Sequence, residues 1–195
     1  MPSSPASRSA ARLVAWALGT MALTAACSKQ ERPDLAVHQT TLAARTPAAA
    51  PTDTGDTAQY LSFDTASNTV TFKLVAGPFV FNGYGSGQAT LTLPPKSNVV
   101  INFVQDDGTP HSAEVSSGEG PVPNSGGDPA IPRAYTNKVV EGLPQGATDA
   151  MTFTAPDSGK YRIICGVPGH ALSGMWIWMV IDPSAKTPSF GKTPT

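Results

Sequence analysis

The feature that most limits what this chain can fold into is a two-residue alternation of apolar and polar side chains, repeated in short runs. Val70, Phe72 and Leu74 alternate with Thr71 and Lys73, and Ala89, Leu91 and Leu93 alternate with Thr90 and Thr92. Val99, Ile101 and Phe103 again share a face. Successive side chains of a strand point to opposite faces, so each run reads as a half-buried strand and not as a helical stripe. Shorter runs follow at 112–116, 134–140 and 151–154, and 161–165 and 176–181 close the series. Turn formers separate them: Asn82-Gly83, Pro94-Pro95, Asp106-Asp107-Gly108 and Asp157-Ser158-Gly159. Many short strands with such punctuation predict an all-β sandwich. Gly or Pro occupies 37 of the 195 positions, which also points away from a helix bundle. Residues 118–132, rich in both, predict a long surface loop, and no internal repeat is present.

Charge and ligand counts exclude several classes. Charged residues make up 14% of the chain, with 13 basic against 14 acidic for a net charge of −1. A nucleic-acid binder would carry a basic excess, so no nucleic acid is expected as a partner. Two cysteines rule out a disulfide-dense scaffold and any site that needs four thiolates. Three histidines rule out a multinuclear site built mainly of imidazoles. Whatever chemistry the chain performs must be shared among these five side chains.

The chain divides into four expected segments: residues 1–27, 28–58, 59–185 and 186–195. Arg8 and Arg12 precede an 11-residue apolar run, Leu13 to Leu23, then Thr24-Ala25-Ala26 and Cys27. A run this short fits an export signal and falls short of the roughly 20 residues that span a bilayer. Small residues ending at a cysteine resemble the lipobox of bacterial lipoproteins, in which the cysteine is acylated and becomes the mature N-terminus. Here Leu23 stands one place further back than the usual lipobox leucine. The alternative is an ordinary signal cut after Ala26, with Cys27 a stray thiol. The 31 residues 28–58 hold seven Ala, six Thr, three Pro and no aromatic residue. Such a segment cannot bury enough apolar surface to offset its ordering entropy, so it predicts a disordered tether, with His38 solvated and functionless. The last ten residues are expected to be a flexible tail.

The chemistry concentrates near the C-terminus. Cys165 ends one predicted strand, His170 and Met175 follow at steps of five, and the next strand starts at Trp176. Gly166, Pro168, Gly169 and Gly174 punctuate the intervening loop, so one tight loop can aim three donors at a common point. His111, 54 residues upstream of Cys165 and following Asp107-Gly108-Thr109-Pro110, opens another predicted strand. Strand ends distant in sequence can meet at one pole of a sandwich. Two His and one Cys with a weak axial Met form the ligand set of a blue-copper electron-transfer site. Thiolate and thioether suit Cu(I) and imidazole suits Cu(II), so a rigid compromise set changes little between the two states.

Each residue also has a plainer reading. A lone Cys ending a strand is usually a small buried hydrophobe, and a lone Met before Trp is usually core. The spacing Cys-x4-His-x4-Met between two strands, with Pro-His upstream, weighs against those readings. Structural zinc takes Cys and His but does not recruit thioether, so Met175 counts against it. A Cys–His hydrolase would want its thiol activated at a helix N-terminus or beside a base. Cys165 instead ends a strand. One ion uses both domain histidines, so no open position remains for a substrate and no enzyme activity is expected.

The segment resembles the cupredoxins, the small blue-copper proteins, and within them is most similar to the sulfocyanins. The likeness takes in Phe81-Asn82-Gly83-Tyr84, Gly87-Gln-Ala-Thr-Leu-Thr-Leu-Pro94, Val99-Val-Ile-Asn-Phe103, Thr109-Pro-His111 and Cys165-Gly-Val-Pro-Gly-His-Ala-Leu-Ser-Gly-Met-Trp176. It covers about residues 68–182. Rusticyanin shares the ligand-loop spacing. Sulfocyanins usually carry Asn after the first histidine, whereas this chain has Ser112, as rusticyanin does; in the family that residue braces the site by hydrogen bonding. The resemblance implies a Greek-key β-sandwich and one type 1 copper cycling between Cu(II) and Cu(I). His111, Cys165 and His170 are then its strong ligands and Met175 its axial one. It further implies an electron carrier, expected to be a monomer; with the N-terminal signal and lipobox-like cysteine, the expectation is export to the periplasm or cell surface and a tether through Cys27. Its partners would be redox proteins such as a cytochrome or terminal oxidase. His170, Val167, Pro168 and Leu172, with Ala171 beside them, would form the apolar electron port. A copper storage module and a tethered adhesion sandwich are the competing readings.

Overall fold

The structure, a computed structural model, describes residues 56–194. The expected export signal, Cys27, His38 and all but the last three residues of the expected linker lie outside the described residues. Among the described residues no helix is long and apolar enough to cross a membrane.

A short helix, α1 (Asp56–Tyr60), leads into β1 (Leu61–Asp64), β2 (Thr69–Gly77), β3 (Val80–Phe81), β4 (Ala89–Leu93) and β5 (Asn98–Gln105). Then come β6 (Glu114–Ser117), β7 (Thr148–Thr154), β8 (Gly159–Ile164), β9 (Trp176–Ile181) and β10 (Ser189–Lys192). One sheet has the order β1-β2-β5-β7, with β3 paired to β2; the other runs β10-β4-β9-β8-β6. The pairings β2–β5 and β4–β9 are parallel and the rest antiparallel. From β3 to β8 the chain passes back and forth between the two sheets, the crossovers of a Greek-key sandwich.

The alternation in the sequence places the core. Val70, Phe72, Leu74 and Ala76 of β2 and Val99, Ile101 and Phe103 of β5 are fully buried. They face Leu91 and Leu93 of β4 and Ile177 and Met179 of β9, which are buried as well. Phe190 of β10 joins the layers: its ring packs 4.9 Å from Phe72, and 5.9 Å from both Tyr60 and Tyr84. Aromatic pairs of this kind contribute about 0.5–1.5 kcal/mol beyond their buried area.

Two expectations fail here. The run 134–140 is not a strand: Tyr135 makes a single bridge to Glu114, and 137–141 is a turn. Arg133, just before the run, has φ 64°, and Lys138, within it, φ 51°; such left-handed residues break a strand ladder. Residues 186–195 are not simply a tail, because Ser189–Lys192 pairs with β4 in register Phe190↔Leu91. The loop 118–132 has no strand, as expected. It is nevertheless fixed to the end of β8, with the Gly126 N–H donating to the Gly166 carbonyl at 2.8 Å and Gly169 N–H to the Asn124 carbonyl at 2.8 Å.

Candidate metal centre

One end of the sandwich gathers the donors. Cys165 follows the last residue of β8, and Met175 precedes the first residue of β9. The loop between them is stitched closed: Cys165 N–H donates to the Met175 carbonyl at 2.9 Å, and Met175 N–H to the His170 carbonyl at 3.0 Å. Gly169 and Gly174, at φ 81° and 101°, supply the left-handed turns that let the loop double back within so few residues. His111 arrives from the segment leading into β6 and is clamped to Leu143, its N–H donating at 3.3 Å and its carbonyl accepting at 2.7 Å.

The structure brings His111, Cys165 and His170 together, their donor atoms all within 4.8 Å of one another. His111 Nδ1 lies 3.1 Å from His170 Nδ1, and Cys165 Sγ lies 3.7 Å from the first and 3.5 Å from the second. Metal–nitrogen bonds of about 2.0–2.1 Å and a metal–sulfur bond of about 2.3 Å reproduce those separations at angles of about 100–115°. The triangle therefore has the size of one coordination sphere. His111, Cys165 and Met175 are fully buried, and His170 is half-buried. Two imidazoles, one thiolate and a thioether in a dry site fit one type 1 copper and fit structural zinc poorly.

Local electrostatics bear on each donor. Burial pushes the Cys165 thiol up, against hydrogen bonding from Ser112 and Val167. A metal ion overrides that, because a coordinated thiol is deprotonated outright. Burial pushes His170 down, and the neighbouring His111 adds to the shift while Asp107 opposes it. Burial and His111 thus favour the neutral form of the ring, the form that offers a lone pair. Ser112 braces the centre: its hydroxyl donates to the Val139 carbonyl at 2.6 Å and accepts the Gly166 N–H at 3.0 Å. It thus ties the His111 and Cys165 segments together across 54 residues.

Of the expected electron port, Leu172 is 60% exposed, Pro168 is exposed, and His170 and Val167 are partly so. Ala171 is the exception; it is buried and adds nothing to the surface. The sequence reading missed two residues. Phe79, between β2 and β3, packs its ring 4.7 Å from His170 and 5.7 Å from His111. Asp107 sets Oδ2 2.9 Å from His111 Nε2. An acidic residue four places before a candidate ligand, across a Gly-Thr-Pro turn, was the available signal for the second; the first had none beyond an aromatic residue in a turn.

A family model described as the sulfocyanin (SoxE) domain matches residues 56–190. A sulfocyanin from Sulfolobus acidocaldarius is 32% identical over 117 residues, which cover 56% of this chain and 59% of that protein. The chain thus spans less than two thirds of the length of the curated relative it matches. Among solved structures, dithionite-reduced auracyanin from Roseiflexus castenholzii is 22% identical and covers 63% of this chain and 100% of its own, with a TM-score of 0.45. Rusticyanin from Thiobacillus ferrooxidans is 24% identical and covers 64% of this chain and 88% of its own, with a TM-score of 0.44.

Proposed function

Because the chain belongs to the sulfocyanin domain family of the cupredoxins, we propose that it is a blue-copper electron carrier working between respiratory-chain partners at the outer face of a membrane. The observation that carries this reading is the triangle of His111 Nδ1, His170 Nδ1 and Cys165 Sγ, with sides of 3.1 to 3.7 Å. His111, Cys165 and His170 would hold the ion and Met175 would be the weak axial donor. Copper bound there supplies one-electron cycling between Cu(II) and Cu(I).

The chain's own residues do the rest. The Cys165–Met175 and His170–Met175 backbone bonds hold the loop donors rigid, so little reorganisation opposes transfer. Phe79 and the buried positions of His111, Cys165 and Met175 exclude water. His170 alone of the four reaches the surface, where Leu172 at 60% and Phe79 at 39% exposure flank it. An apolar rim of this kind suits weak, brief docking of a redox protein. The reading extends to a monomer exported to the periplasm or cell surface and anchored by acylation at Cys27. Its support there is the apolar run and the small residues before that cysteine.

The test is a titration of the full-length protein with Cu(II). An intense visible thiolate-to-copper band is expected, and Cys165→Ser removes it while the far-ultraviolet spectrum stays. Copper bound without colour overturns the reading.

A further inference from the structure

Asp107 stands directly behind His111. The ring of His111 is fully buried, its Nε2 faces Asp107 Oδ2 at 2.9 Å, and its Nδ1 faces His170 and Cys165. An ionised carboxylate can only accept, so a ring bearing a single proton carries it on Nε2. Nδ1 is then bare and points its lone pair into the donor triangle. Without that partner either nitrogen could hold the proton, and a proton on Nδ1 would block the site.

The carboxylate is itself held in place. The Nε2 of Gln105, a fully buried residue at the end of β5, donates to the Thr109 carbonyl and, at 3.2 Å, to the Asp107 carbonyl. The turn from Asp107 to Thr109 is thereby pinned to the sheet. The Asp107 carboxylate is the hydrogen-bond partner of the ring's outer nitrogen. The side chain keeps only 17% of its exposure, so its charge is poorly screened from the ring.

We propose that Asp107 is a positioning residue which selects Nδ1 of His111 as the donor atom and, through its negative charge behind the ring, favours the more highly charged oxidation state of the ion held there. The proposal rests on His111 being a ligand. Partners that orient a ligating imidazole in this way typically influence metal affinity 10–100-fold.

The first test needs no metal. In metal-free, full-length protein labelled with nitrogen-15 at histidine, His111 should show a protonated Nε2 and a bare Nδ1. Asp107→Ala should give a mixture of both tautomers. In copper-loaded protein, Asp107→Asn keeps an oxygen that can accept the Nε2 proton but loses the charge. It should retain the visible band and raise the midpoint potential. Asp107→Ala should weaken Cu(II) binding by about 10–100-fold. A wild-type His111 protonated at Nδ1 overturns the proposal without any variant having to fold, and so does an Asp107→Asn potential equal to wild type. A wild-type protein that binds copper without colour would instead sink the ligand reading, while the nitrogen-15 pattern still decides the tautomer.

Discussion

Phe79 lies across the face of His170, ring centroids 4.7 Å apart and planes inclined at 55°, and it holds that position from a left-handed backbone at φ 54°. For a bulky residue that conformation is an outlier costing about 1–2 kcal/mol. The β2–β3 turn tolerates it because it presents the ring to both histidines. Phe79→Gly should therefore be more stable than Phe79→Ala by about 1 kcal/mol, the reverse of the usual order, since Ala loses the ring contacts but keeps the strain. Urea midpoints of the two metal-free variants check this. Equal midpoints, or Ala the more stable, would show that the turn is not strained.

Met175 is buried at the end of the ligand loop with its backbone bonded to both Cys165 and His170. Met175→Leu should keep the blue colour and raise the redox potential, because a donor to Cu(II) is lost. Met175→Gln should lower it, since an amide oxygen donates better to the oxidised ion. Potentials unchanged in both variants would remove Met175 from the ligand set.

Leu172 is the most exposed large apolar residue of the domain, at 60%, and sits two places from His170. If electrons leave by that edge, Leu172→Lys should slow transfer to a membrane oxidase or cytochrome by about tenfold, equivalent to about 1.4 kcal/mol. The visible spectrum should not change. Stopped-flow traces across ionic strength should also show weak salt dependence in the wild type, because few charges steer the encounter. A Leu172→Lys protein that reacts at the wild-type rate places the port elsewhere.

Glu114 on β6 is buried, and its Oε2 accepts the Gly127 N–H at 2.6 Å. Burial pushes its carboxyl above the usual 4.5; N–H donors from Gly127 and Asp128 oppose that rise and the charge of Asp128 adds to it. A raised group stabilises the fold most fully when protonated, so its contribution is complete below about pH 4.5 and is lost as pH climbs through the higher folded value. Glu114→Gln should flatten that decline between pH 4.5 and neutrality while leaving the copper spectrum intact. Denaturant midpoints at stepped pH read it directly, and parallel wild-type and variant curves would count against a burdened carboxyl at this position.

Much of this architecture could be read directly from residue order. Val70, Phe72 and Leu74 announced their strand because each inward side chain is followed by an outward polar one, and the buried set follows that pattern. The donors were legible because Cys165, His170 and Met175 lie in one short loop. Other features depended on partners the local sequence does not name. In 134–140 pairing is confined to a single bridge, made by the Thr136 N–H donating to the Ala113 carbonyl at 2.9 Å and the Val115 N–H to the Ala134 carbonyl at 2.8 Å, because the left-handed backbone at Arg133 and Lys138 lets it go no further. Phe190 has Gly191 and Ser189 as neighbours and no alternation to flag it, so only its pairing with Leu91 makes it a strand residue. Asp107 and Phe79 act on histidines through side-chain approach, which spacing along the chain does not encode.

Phe190 also governs when this domain can exist during its own manufacture. Its ring touches Tyr60 near the start of the folded region and Phe72 of β2, so the interior lacks its closing wedge until Phe190 itself has been synthesised. Parallel pairing of β4 with the late β9 imposes the same delay. A nascent chain of this kind stays open until β9 and β10 have both been made, which leaves it threadable up to that point by any machinery that handles only unfolded polypeptide. Copper capture then falls to the compartment where the finished chain first closes.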